Sequence, residues 1–343
     1  MNGLLLVNLG TPDAPETGPV RRYLAEFLSD PRVLDMPAIA RFLLLYGVIL
    51  PFRPKRSAAA YKKVWDPERG SPLLFHSRDL AEGVAARLGQ SWTVALGMRY
   101  GRPSLQDALQ QLIDAGCTRL FVLPLYPQYA SSTTGSTTQA LYELTARLAW
   151  VPPITVMPPF FEHPRFIEAT VEAAADTLGR VRPAHVFFSF HGIPERQVQA
   201  TDLSPDRSHC LASDACCERL TAANRGCYRA QCFATARALA ERMGLSRSEW
   251  SIGFQSRLGR IPWIRPYTDD VLHELSERGV GPVVVLCPSF VADCLETLEE
   301  IGMEAVSEYG EPGLHLAPCL NSHPVWVDAV AGLAREAAGS ASD

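Results

Sequence analysis

His185-Val186-Phe187-Phe188-Ser189-Phe190 is an apolar run that leads straight into His191-Gly192-Ile193-Pro194. Six mostly apolar residues ending at a glycine and a proline read as a buried strand that stops at a stiff turn. Further along, Pro282-Val283-Val284-Val285-Leu286-Cys287-Pro288-Ser289-Phe290 repeats the pattern and leads into Val291-Ala292-Asp293-Cys294-Leu295-Glu296-Thr297-Leu298-Glu299-Glu300. In open α/β sheets, ligands bind outside the carboxyl ends of the strands. The first run delivers a histidine to such a place and the second a set of carboxylates.

Outward from these two runs, strands are expected near 4–9, 92–98, 119–125, 153–158, 185–190, 251–255, 283–287 and 313–317. Amphipathic stretches near 18–28, 78–89, 104–115, 137–149, 165–180, 231–243, 267–278, 292–302 and 323–337 read as helices. This alternation predicts α/β architecture with parallel sheets covered on both faces. Asp107, Leu109, Leu112 and Gly116 share their spacing with Asp270, Leu272, Leu275 and Gly279, and Phe121-Val122-Leu123 falls in step with Val284-Val285-Leu286. The repeat predicts two similar halves, 1–150 and 151–322, with the helix at 323–338 packed back on the first.

The 343 residues are 47% hydrophobic and 20% charged, enough for a large core without disulfide staples. A formal net charge of −5 argues against nucleic acid as a partner. No apolar run reaches the length of a membrane span, no secretory signal is read at residues 1–10, and nine cysteines suit a reducing compartment, so a cytoplasmic location is expected. The apolar stretch from Ala40 to Phe52, followed by Arg53, Lys55, Arg56, Lys62 and Lys63, leaves three readings open. Region 40–63 can rest at the inner face of a membrane, form a buried helix with a solvated basic end, or wall a pocket for an apolar ligand.

Asp293 is placed to cap the helix after it. At about 100° per residue, Asp293, Glu296 and Glu300 fall on one helix face, with Glu299 pointing into solvent. Such a row suits a cation or a shared proton, and His191 can supply a neutral nitrogen ligand or a base. Five cysteines lie within 23 residues, Cys210, Cys216, Cys217, Cys227 and Cys232, in a polar segment from about 201 to 232 that reads as an insertion. Thiolates at this density select zinc or iron–sulfur, and the absence of Cys-x-x-Cys pairs favours iron–sulfur. Four ligands suffice. Cys210, Cys217, Cys227 and Cys232 are taken as the set, with Cys216 as the alternate to Cys217. After the third strand, Leu125-Tyr126-Pro127-Gln128-Tyr129 and Ser131-Ser132-Thr133-Thr134-Gly135-Ser136 offer hydroxyls that can cradle an anion or simply cap a helix.

Together these motifs resemble the ferrochelatases, which insert ferrous iron into a porphyrin to make haem. Leu6-Val7-Asn8-Leu9-Gly10-Thr11-Pro12, the Tyr126 and Ser132 segments, Ser189-Phe190-His191-Gly192-Ile193-Pro194, Phe254-Gln255-Ser256-Arg257 with Pro262-Trp263, and Asp293-Cys294-Leu295-Glu296-Thr297-Leu298 carry the likeness over nearly the whole length. The resemblance implies two Rossmann-like lobes with a porphyrin cleft between them and insertion of Fe²⁺ into protoporphyrin IX, with coproporphyrin III or another metal and tetrapyrrole as alternatives; a non-enzymatic iron–sulfur sensor is the alternative from a different class. It implies His191 and Glu296 as the metal-site pair, with Asp293 and Glu300 as an acidic path beside them. It further implies Arg53, Tyr61 and Ser71 as propionate contacts, and Arg99, Tyr100, Tyr126, Ser132 and Trp263 as porphyrin contacts. Cys294 stands where many relatives carry histidine. Some bacterial relatives hold a [2Fe–2S] cluster in an internal segment like this one; because insertion involves no net redox change, a structural or sensing role is expected for such a cluster here. Which of His191 and Glu296 takes the pyrrole protons stays open, as does the oligomeric state.

Overall fold

Eight short apolar runs form eight parallel strands in the computed structural model, which describes residues 1–339 apart from Leu258, Arg260 and Pro312, and only the backbone of Asp214. The chain divides into two units: Met1–Leu125 with Ser131–Pro158 and Val327–Asp343, and Tyr126–Ala130 with Pro159–Trp326.

In the first unit, β1 (Asn2–Thr11) lies between β2 (Trp92–Gly101) and β3 (Arg119–Pro124), with β4 (Ile154–Val156) beyond β3. All pairs are parallel. Leu4, Leu5, Leu6 and Val7 are wholly buried, as a central strand covered on both faces requires. The covering helices are α1 (Thr17–Ser29), α2 (Ala38–Leu44), α3 (Leu50–Val64), α4 (Pro72–Leu88), α5 (Leu105–Asp114) and α6 (Ser136–Thr145). Ser104 caps α5 by accepting from the Asp107 N–H, and Leu105, Ala108, Leu109 and Leu112 form its buried stripe against Leu5, Val7, Ala95 and Val122. Gly10 holds φ at +112°, and a Cβ there would meet the Tyr100 carbonyl oxygen at 1.8 Å, so only glycine fits where β1 and β2 close up.

In the second unit, β5 (His185–His191) lies between β6 (Trp250–Gln255) and β7 (Val283–Leu286), with β8 (Leu314–Leu316) beyond β7, again all parallel. Its helices are α7 (Pro164–Val181), α8 (Glu195–Gln199), α9 (Tyr228–Arg242), α10 (Thr268–Glu277) and a π-helix over Glu296–Ala305 that runs on as α11 (Val306–Tyr309). Both sheets order their strands second, first, third, fourth. The α5–β3 and α10–β7 segments, which share a sequence pattern, fill the same topological place in each. The C-terminal helix Pro324–Ala338 brings Asp328 and Arg335 to Arg87 of α4.

Two expectations are revised. Of the three readings left open for Ala40 to Phe52, the buried helix is ruled out. Helix α2 has no buried residue, and Phe42, Leu43, Tyr46, Val48 and Phe52 are each at least half exposed. Leu45 and Leu50 of this stretch turn inward and Ile49 is partly buried beside them, packing with α1. Helix α9 begins at Tyr228 rather than near 231, so Cys232 sits on a helix and Cys227 caps it, outside the polar loop.

Candidate active site

Three strand ends build the site in the second unit. His191 is the last residue of β5 and pairs in register with Gln255, the last of β6; β7 leads through a short loop to the π-helix. Gly192 follows because its backbone donates to the Gln255 carbonyl at 2.8 Å, and a Cβ would meet that same oxygen at 2.8 Å.

His191 is half-buried, with its ring 6.2 Å from Phe290 and 6.5 Å from Trp263. Its Nδ1 lies 2.6 Å from the Gly192 carbonyl oxygen. A carbonyl can only accept, so Nδ1 carries the proton and Nε2 holds the basic lone pair.

Gln255 ties the elements together. Its Oε1 accepts from Ser189 at 2.7 Å, while its Nε2 donates to the Glu296 carbonyl at 2.9 Å and approaches Glu300 Oε2 at 3.4 Å. Ser256, at φ +67°, donates to the same Glu300 oxygen at 2.6 Å. Burial raises the proton affinity of Glu300 above the ordinary carboxylate range, the Glu296 charge adds to this, and Ser256 and His191 offset part of it. His191 and Glu296 thus each act on Glu300 through their charge.

Asp293 does not join the row. The helix begins after it and has no side-chain cap. The Asp293 carboxylate is buried, accepting from Asn321 Nδ2 at 2.7 Å, the Cys319 N–H at 3.3 Å and the Thr297 hydroxyl at 3.3 Å. It pins the loop after β8 to the loop after β7. The expectation of one face for Asp293, Glu296 and Glu300 assumed an α-helix from Asp293. A π-helix turns less per residue because its hydrogen bonds span five residues, which brings Glu296 and Glu300 closer to eclipsed. Glu299, expected in solvent, is 8% exposed. Among the described residues, no three His, Cys, Asp or Glu side chains converge as a single-metal site requires.

The expected porphyrin contacts fall in several places. Arg53 is exposed and Tyr61 half-buried, eight residues apart on α3; Ser71 is buried before α4, sharing a 2.8 Å hydrogen bond with Thr11. Ser132 lies on a π-helical turn, Tyr126 is buried, and Trp263 is half-buried against His191. Tyr100 is 1% exposed and its hydroxyl donates to Asp30 at 2.8 Å, so it is a wall of the fold rather than a ligand contact. Asp30, which sequence reading missed, also accepts from Ser136 at 2.5 Å, Arg99 at 2.8 Å and the Arg32 N–H at 2.7 Å. The hydroxyl-rich segment after β3 therefore cradles an internal anion.

The five cysteines of the insertion are buried and none forms a disulfide. The Cys216 and Cys217 sulfurs are 3.5 Å apart, and the Cys227 sulfur accepts from the Ala230 N–H at 3.5 Å. Arg229, 6% exposed, points a guanidinium nitrogen at the Cys216 sulfur from 3.8 Å, and Arg237 lies in the field of Cys217.

With this geometry established, comparison with known proteins identifies the family. The Ferrochelatase family pattern matches residues 1–338. This chain belongs to the ferrochelatase family. Curated ferrochelatases from Coxiella burnetii (strain CbuK_Q154) and Legionella pneumophila (strain Lens) are 47% and 43% identical over 97% of this chain, covering 93% and 98% of their own lengths. SirB from Bacillus subtilis with Fe³⁺ shares the fold at a TM-score of 0.53 and 14% identity, over 98% of this chain and 95% of that one. The sirohydrochlorin chelatase SirB from Bacillus subtilis subspecies spizizenii in complex with cobalt gives 0.54 at 13% identity, with the same coverage. The chain is an enzyme of the lyase class that inserts ferrous iron into porphyrin for haem synthesis.

Proposed function

We propose that insertion takes place at His191 and Glu296, with protoporphyrin IX as the porphyrin and Glu300 as the outlet for protons. The observation that carries this reading is the Nδ1 bond of His191 to the Gly192 carbonyl, which leaves Nε2 basic beside a carboxylate whose proton affinity is raised. Replacing two pyrrole N–H protons by Fe²⁺ needs an acceptor for each proton. His191 Nε2 takes a pyrrole proton and passes it to Glu300, which lies in its field, and is then free to take the second. Glu296 guides the metal, since oxygen and nitrogen donors hold Fe²⁺ without trapping it. Asp293 has no part in this path, because its oxygens are spent on the β8 loop. Arg53, Tyr61 and Ser71 serve the propionates, and Arg99, Tyr126, Ser132 and Trp263 the macrocycle. An anaerobic assay with Fe²⁺ and each porphyrin tests the substrate: turnover of protoporphyrin IX above that of coproporphyrin III is expected, and the reverse order would replace it.

The cysteine segment fits a resident [2Fe–2S] cluster in its donor chemistry. A two-iron cluster asks for two thiolates on each iron rather than several on one point. Cys210, Cys217, Cys227 and Cys232 would be the ligand set, with Cys216, whose sulfur is 3.5 Å from that of Cys217, as the alternate, and with Arg229 and Arg237 as counter-charges to an anionic cluster. Bound there, the cluster supplies a cross-link for the segment and a one-electron couple. Burial and the neighbouring Asp202 push the Cys210 thiol up to about 11, so loading releases protons and is expected to weaken at low pH. Cys227→Ser should abolish visible charge-transfer absorption in the purified protein, and a colourless wild type containing zinc would overturn the assignment.

For location, we propose a cytoplasmic protein that touches the inner membrane face through region 40–63. No helix among the described residues is long and apolar enough to span a membrane. The exposed Phe42, Leu43, Tyr46, Val48 and Phe52, beside Lys55, Arg56, Lys62 and Lys63, match an interfacial anchor to anionic lipid. Phe52→Glu is expected to cut co-sedimentation with phosphatidylglycerol-containing vesicles at least fivefold, while neutral vesicles bind weakly in both cases.

A further inference from the structure

The main chain of the histidine at the end of β5 is held on both sides by hydrogen bonds from other elements. The His191 N–H donates to Ser289 Oγ at 3.1 Å, and the Tyr228 hydroxyl donates to the His191 carbonyl at 2.8 Å. Ser289 comes from the loop after β7. Tyr228 is the first residue of α9 and is 6% exposed. A strand end next to an open site lacks the ladder partners that fix the middle of a strand, and these two bonds supply them.

Tyr228 also belongs to the cysteine segment. Cys227 precedes it and caps α9, its sulfur accepting from the Ala230 N–H. Cys232, four residues on, lies on the same helix face as Tyr228. Arg229, the next residue, points at the Cys216 sulfur. The first turn of α9 is therefore tied to the cysteines through Cys227 and Arg229, on either side of Tyr228, and to His191 through Tyr228 itself. Nothing in it can give independently, because α9 is buried along most of its length and its Gln231 is held by the Tyr129 N–H at 2.6 Å.

We infer that Tyr228 is a positioning residue for His191, and that through it the cysteine group sets the geometry of the insertion site. The first half stands on the two main-chain bonds alone; the second rests on the reading of the cysteines as a metal centre. Loading or loss of metal rearranges the sulfurs around Cys227 and Cys232, moves the phenol they flank, and shifts the His191 carbonyl that the phenol holds. The imidazole follows, because its Nδ1 is tied to the very next carbonyl. The coupling is reciprocal: occupation of the insertion site is felt at the cysteines.

Two sets of variants test this. Tyr228→Phe and Ser289→Ala each remove one of the two bonds without emptying the core. Each is expected to lower kcat for Fe²⁺ insertion about tenfold, with porphyrin KM changed less than twofold and the melting temperature little moved. Wild-type kcat in Tyr228→Phe would overturn the first half. Cys217→Ser, or removal of metal from folded protein by an anaerobic chelator should that variant fail to fold, should lower kcat severalfold in the wild type and less than twofold in Tyr228→Phe. Equal losses in both backgrounds would overturn the second half. A readout apart from turnover is the midpoint potential of the visible chromophore: loss of the phenol hydroxyl next to Cys227 should shift it in Tyr228→Phe and leave it unchanged in Ser289→Ala. A colourless wild type ends the cluster reading and the second half with it, while kcat in the two variants still decides the first.

Discussion

Alanine in place of His191 is expected to lower the rate of ferrous-iron insertion about a thousandfold, within the range that a positioned acid or base contributes. The loss is expected in kcat rather than in porphyrin KM. The anchors of residue 191 are main-chain, through Ser289 and Tyr228, and alanine keeps both. The flanking Phe290 and Trp263 rings remain as apolar walls. What disappears is Nε2, the only atom of the histidine that Gly192 leaves basic. Glutamine at position 296 is the counterpart: it keeps size and shape, removes the charge that guides the metal, and is expected to cost about a hundredfold or more. Initial rates of haem formation under anaerobic conditions, with porphyrin affinity measured separately by fluorescence quenching, check both. Full turnover by His191→Ala with tight porphyrin binding would remove the histidine from proton transfer and leave Glu300 and Glu296 to share it.

The two residues of that prediction were legible in the sequence because each follows an apolar run, and the end of a buried strand is easy to read. All eight strands were legible for the same reason: three to ten mostly apolar residues between turn signals have little else to become. The helix carrying Glu296 was placed well and typed wrongly. A π-helix has the composition of an α-helix, so period alone put Asp293 on the wrong face and Glu299 in solvent. Exposure of the 40–52 stretch was not legible either. Its apolar residues suggest burial, and only packing partners tell a core helix from an anchor. Gln255, Ser289 and Tyr228 lay within or beside quoted motifs, yet nothing in a sequence marks which polar residue will bridge three strand ends. The cysteine cluster was conspicuous, whereas its tie to His191 depends on where α9 begins.

Asparagine at position 30 is expected to destabilise the first unit by about 2–3 kcal/mol at neutral pH, although Asp30 sits in a loop with no motif around it. A buried ion pair broken from one side costs about 3–5 kcal/mol, because the surviving charge is left without compensation. Arg99 retains 20% side-chain exposure, so water relieves part of that cost. Burial alone would raise the proton affinity of Asp30, but hydrogen bonds from Ser136, the Arg32 N–H and Tyr100, together with the Arg99 charge, outweigh it and hold the carboxyl below its ordinary range. A depressed carboxyl stabilises the fold above its unfolded value of about 4, and that contribution is lost as pH falls through the lower folded value. The difference between wild type and Asp30→Asn should therefore be full at pH 7 and shrink steadily below about pH 4. Melting temperatures of the two proteins across that range check the sign, with a fall of roughly 5 °C or more expected at pH 7. Asparagine can still donate to or accept from Ser136 and Tyr100, so what the variant removes is mainly the charge facing Arg99. A gap between the two proteins that stays constant down to pH 3 would mean that the asparagine disturbs packing alone and that the Asp30 carboxylate contributes no charge to the fold.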